Sequence, residues 1–145
     1  MTGINFKREL DDTLDNAIAR VTTALGAEGF GIMTRIDMHS KLKEKIGKDI
    51  VPTVILGACS PSLAYEAYIL NSDVAGVVPC NAVLREIASG RISVEFAAPS
   101  AVMGVLGDAR LTEMAVGADA RIKKALANAL DQRTKEAPEF RAKNL

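Results

Sequence analysis

Cys59 and Cys80 are the residues of this chain whose types and settings best suit chemistry. Cys59 opens the run Cys59-Ser60-Pro61, immediately before a predicted helix, where amide dipoles favour a thiolate. Cys80 follows Pro79 and adjoins Asn81. If the two segments meet, two thiols and an amide line one pocket. Parallel strands would put the cysteines at opposite sheet ends; an antiparallel or loop arrangement would bring them together. Their separation is no local redox motif, and a buried cysteine is also a small hydrophobe, so packing and chemistry both stay open.

The neighbours extend the candidate pocket. The Ser60 hydroxyl suits a helix cap, and Pro61 suits the first helical position, where its missing amide matters little. Tyr65 and Tyr68 lie three positions apart in that helix and serve a pocket, a dimer face or ordinary packing. Glu66 has no identified acid–base partner. Asn81 either orients a ligand or simply forms a turn. His39, the only histidine, sits beside a lysine-rich surface helix and reads as a surface residue. Two cysteines and one histidine lack any recognised short-range zinc spacing, so no metal site is expected. No phosphate loop, dinucleotide fingerprint, GxSxG or HExxH motif is present; Gly29-Phe30-Gly31 lacks the further glycine and the strand-to-helix setting. No catalytic reaction can be read, and no cofactor is identified.

The elements that must position these residues follow from periodicity. Ile4 to Arg8 form a short strand, and Asp11 or Asp12 offers an N-cap. A helix follows, lined by Leu14, Ala17, Ile18, Val21 and Leu25, and stops at Gly26 or Gly29. Phe30, Ile32, Thr34 and Ile36 share one face of the next strand. Asp37 caps a short helix whose buried stripe is Met38, Leu42 and Ile46. Val51 to Cys59 is the most strand-like stretch. The helix after Ser60 ends near Asn71, and a strand or loop runs through residue 81. Ala82 to Ile87 and Arg91 to Ala97 form a hairpin across Ser89-Gly90, with Ile92, Val94 and Phe96 on its dry face. Pro99 and Ser100 start another helical region, and Gly104 and Gly107 argue against one continuous helix from residue 100. A long terminal helix is lined by Leu111, Met114, Ala118, Ile122, Ala125 or Leu126, and Ala129. Its Gly117 permits a close approach by the sheet or a partner subunit. This order predicts an α/β (α+β) chain with a curved, mainly antiparallel sheet and helices on one face. The other face stays wet or pairs with another subunit. Residues 1–132 form one domain; 133–145 are a polar, mobile tail.

Composition agrees. Hydrophobic residues make up 48% of the 145, enough for a core without metal or disulfide staples. Eighteen basic residues balance 18 acidic ones, so no charge is concentrated for phosphates, and nucleic acid is not an expected partner. The amino terminus lacks a signal peptide's apolar segment, and no stretch approaches the roughly 20 apolar residues that span a bilayer. A cytoplasmic protein with reduced thiols, away from membranes, is expected.

GFGIMTRID at Gly29–Asp37, ILGACSP at Ile55–Pro61, VVPCNAVL at Val77–Leu84, and Pro99 before an alanine- and leucine-rich helix together resemble the prokaryotic domain of unknown function 302 family. The resemblance covers roughly residues 4–130. It implies a TATA-binding-protein-like α/β fold, often dimeric, without implying DNA binding. It also carries Cys59, Pro61, Pro79, Cys80 and Asn81 as pocket candidates. Two departures stand out. Ser60 replaces the family's usual asparagine, and Ala98-Pro99 replaces a frequent Asp-Pro, which weakens any acid–base or metal role at residue 98. The leading reading is a homodimer that binds a small molecule or regulates. A thiol-dependent enzyme or redox protein using Cys59 or Cys80 is the alternative, and a structural assembly role a third.

Overall fold

A computed structural model describes residues 5–131; Ile4 and the tail expected over 133–145 lie outside them. The elements run β1 (Asn5–Asp11), α1 (Leu14–Ala27), β2 (Gly31–Asp37), α2 (Met38–Ile46), β3 (Thr53–Cys59) and α3 (Pro61–Leu70). A 3-10 turn (Ser72–Gly76), β4 (Cys80–Ala88), β5 (Arg91–Ala97), α4 (Pro99–Gly104) and α5 (Ala109–Asp131) complete the order. The five strands form one sheet ordered β1-β5-β4-β3-β2, every neighbouring pair antiparallel. The expected α/β architecture is therefore present: an antiparallel sheet covered by helices on one face. No helix among the described residues is long and apolar enough to cross a membrane.

Strand alternation builds the covered face. Val54, Leu56, Leu84, Ile92, Val94 and Phe96 are all buried there, each contributing about 1.5–3 kcal/mol by leaving water. Val21 and Leu25 of α1 and Ile122 and Leu126 of α5 close over them. Arg20 locks these helices together. Its Nη1 donates to Asp12 at 2.7 Å, and its Nε donates to the Ala129 carbonyl at 3.0 Å. Breaking such a buried pair by removing one partner costs about 3–5 kcal/mol. Burial opposes ionisation of Asp12, but the hydrogen bonds from Arg20, Thr13 and Asn16 win and hold its carboxyl below the ordinary range.

Several local expectations need correction. β1 runs to Asp11, and the cap of α1 is Thr13, which accepts from the Asn16 amide at 3.1 Å; Asp12 is drawn off by Arg20. α1 ends at Ala27, and Gly29 follows with φ +86°, the left-handed conformation that glycine adopts freely. A register shift between Ile32 and Thr34 flips β2. Ile32 pairs with Ala58 on the covered face, whereas Thr34 and Ile36 pair with Gly57 and Ile55 on the other, so Phe30, Ile32, Thr34 and Ile36 do not share one face. Asp37 makes no capping bond because Arg35 holds its carboxylate at 2.8 Å. No residue of α2 is buried: Ile46 is 63% exposed, since this helix touches the sheet margin instead of the core. Gly107, at φ +70°, separates α4 from α5. A Cβ at Gly117 would meet nothing within 4 Å among the described residues, so no sheet approach explains that glycine.

Gly57 is the opposite case. A Cβ there would collide with the Thr34 hydroxyl and lie 2.8 Å from Pro79 Cγ. Gly57→Ala is expected to destabilise by about 1–3 kcal/mol in chemical denaturation. Adding Thr34→Ala should restore only part of the loss, because the proline ring remains; a neutral Gly57→Ala would contradict the close approach.

Candidate functional site

The β3–β4 pairing decides how the cysteines meet. Ala58 pairs with Cys80, so the end of β3 and the start of β4 occupy the same end of the sheet. Cys59 stands one residue past that register, on strands spaced roughly 4.8 Å apart. Both thiols are free and line one cavity of about 50 Å³. Its walls come from both apolar clusters: Phe30, Ala58 and Ala118 belong to the main core, and Ala67 and Leu111 to a second cluster under α3. Ala58, Ala64, Ala67, Ala115 and Ala118 leave the space open; larger side chains at these wall positions would fill it. Met103 of α4 and Met114 of α5 also line the cavity.

The sequence-predicted site divides here. Cys59, Ser60 and Cys80 line the cavity. Ser60 makes no side-chain cap; its carbonyl accepts from the Ala64 amide at 2.8 Å and lies 3.8 Å from Cys59 Sγ. Pro61 begins α3, as its ring predicts, but is exposed and outside the cavity. Tyr65 and Tyr68, at 68% and 52% exposure, point away from it, because Ala67 takes the buried side of α3. Pro79 follows a cis peptide bond and lies over Gly57, and Asn81, paired with Gly57, is exposed. Alternation along β4 puts Asn81 on the side opposite Cys80, so the thiols and the amide do not share a pocket. His39 is also elsewhere: its Nδ1 accepts from the Thr53 amide at 3.0 Å.

Electrostatics run against an activated thiol. Burial pushes the Cys59 thiol up. Burial, followed by the nearby Cys59 and Asp119, pushes Cys80 up to about 11. Asp119 was not legible as a neighbour of the site. It reaches from α5 to Ser100, accepting from its amide at 3.0 Å and its hydroxyl at 2.5 Å. It thereby supplies the cap that Ala98 cannot make. Behind the cavity, the Arg121 guanidinium carbon sits 5.0 Å from the Phe30 ring centroid. Among the described residues, no group of three or more His, Cys, Asp or Glu is arranged to hold a metal.

The model of a family described as "Domain of unknown function DUF302" matches residues 6–129. The chain belongs to the DUF302 family. It is also similar to the crystal structure of an uncharacterized conserved DUF302 protein from Bacillus stearothermophilus. The two share 25% identity and a TM-score of 0.80, over 87% of this chain and 98% of that one. No curated protein matches the chain.

Buried, protonated thiols should react slowly. In the folded protein at about pH 7.5, iodoacetamide is expected to modify both cysteines at under about a tenth of the rate in denaturant. The Cys80 rate should still be rising as pH approaches its titration near 11. Fast labelling, or a plateau near pH 8 by mass spectrometry, would contradict this electrostatic picture.

Proposed function

We propose that this DUF302 protein is a homodimeric binding or regulatory protein that holds a small ligand in the Cys59–Cys80 cavity. The observation that carries the reading is the meeting of both cysteine segments at one apolar cavity between two clusters. Its volume sets the ligand scale. About 50 Å³ exceeds the roughly 10–15 Å³ a cavity needs to hold one water but falls far below the roughly 300–1,000 Å³ of sites for drug-sized molecules. A ligand of a few heavy atoms fits. The thiol-dependent alternative is less supported, because burial raises both thiols.

In this reading residues 1–132 act as one domain with a TATA-binding-protein-like arrangement, working in the cytoplasm. Support for a dimer comes from one continuous stretch of chain. Met33, Ile36, Met38, Ile46, Ile50 and Val51 are exposed on and after the edge strand β2. Clustered apolar exposure beside an unpaired strand edge favours self-association through a two-fold contact.

Two measurements test the reading. Xenon under pressure should shift the methyl NMR signals of Ala64, Ala115 and Met114, and Ala115→Leu should abolish those shifts while the protein stays folded. An unperturbed wild-type spectrum would refute the cavity as a binding site. Separately, Ile46→Glu should halve the mass in sedimentation equilibrium. An unchanged dimer would exclude this surface, and a wild-type monomer would exclude the dimer.

A further inference from the structure

The cavity gathers an unusual donor set. Two thiols, Cys59 and Cys80, and two thioethers, Met103 and Met114, line the same small apolar space, contributed by β3, β4, α4 and α5. We propose that this four-sulfur cavity is a binding site for a soft monovalent metal ion, with Cu(I) as the fitting species. This rests on the cavity being the binding site and names its ligand class.

The donor chemistry selects the ion. Thiolate and thioether ligands favour Cu(I), whereas hard cations require oxygen donors. Structural zinc requires four thiolate, imidazole or carboxylate donors. This chain has only two cysteines and one histidine, and His39 is held by the Thr53 amide outside the cavity. The carboxylate that acts on Cys80, Asp119, has both oxygens committed to Ser100. What remains is sulfur.

Charge points the same way. An apolar cavity penalises net charge, and a monovalent ion with one thiolate is neutral. Binding proceeds as Cu(I) plus the Cys59 thiol giving a copper–sulfur bond and a proton released to water. The Cys80 sulfur and a thioether complete the coordination, and a second proton leaves if Cys80 also binds as thiolate. No electron is transferred. Each thiol that binds as thiolate gives up a proton, which makes binding pH-sensitive. Met103 and Met114 are half-buried, while the cysteines keep only 9% and 7% exposure.

The test is anaerobic competition between the full-length, reduced protein and a chromophoric Cu(I) chelator. One ion per chain is expected, with a sulfur-only first shell in X-ray absorption. Affinity should rise about tenfold per pH unit for each proton released. Cys59→Ser and Cys80→Ser should each weaken binding by at least about 100-fold. Met103→Leu and Met114→Leu, which preserve shape, should weaken it by roughly tenfold and keep the test decisive if a serine variant misfolds. Wild-type protein that leaves copper on the chelator, or binding unchanged in both cysteine variants, overturns the proposal. Failure here with intact xenon binding removes the metal and leaves the cavity reading standing. Xenon failure, with copper bound independently of both cysteines, removes both.

Discussion

The register of β3 against β4 is the constraint on which the site depends. Ala58 opposite Cys80 puts two chemically similar segments at one end of the sheet. That pairing leaves Gly57 opposite Asn81, beneath the Pro79 ring and beside Thr34. Only a residue without a side chain lets three chain segments converge there. A one-residue slip would turn Cys80 toward the uncovered face and put Asn81 against the helices. The identity of the cavity's lining residues is therefore set by strand pairing before any helix packs.

Helix packing then sets the cavity's size and polarity. α5 is long enough to serve both clusters, with Ile122 and Leu126 over the sheet and Leu111 under α3. The seam between the clusters is walled by alanines, so it remains open yet dry-lined. Dryness governs the thiols. A helix N-terminus contributes about 0.3–1 kcal/mol to a nearby anion at an exposed position. Burial acts in the opposite direction and raises the Cys59 thiol.

Local pattern was enough for the regular elements. The β-branched run before Cys59, the alternation Ile92, Val94, Phe96, and the three- and four-residue spacing from Leu111 to Ala129 each name a buried face correctly. The cysteine segments were legible as neighbours only conditionally, because strand direction is not written in either one. What failed depended on contacts between distant segments. The β2 bulge reverses Thr34 and Ile36, and α2 has an apolar stripe with nothing to cover it. Arg20 departs from the apolar rule because Asp12 and the carboxyl end of α5 satisfy it. Tyr65 and Tyr68 look like pocket residues until Ala67 is seen to take the inner side of α3. Met103 carries no local signal and Met114 reads only as part of the terminal helix's stripe, since α4 and α5 bring them to the cavity from more than 20 residues beyond Cys80.

The account stands most directly on where the Cys80 side chain points. Nuclear Overhauser contacts from its β-protons in the reduced protein read that orientation. Cross-peaks to Ala58, Cys59 and Ala118 are expected, from the neighbouring strand and from the helix above. Contacts instead to Thr34, with Asn81 giving the cross-peaks to Ala118, would show the opposite register and contradict the shared cavity.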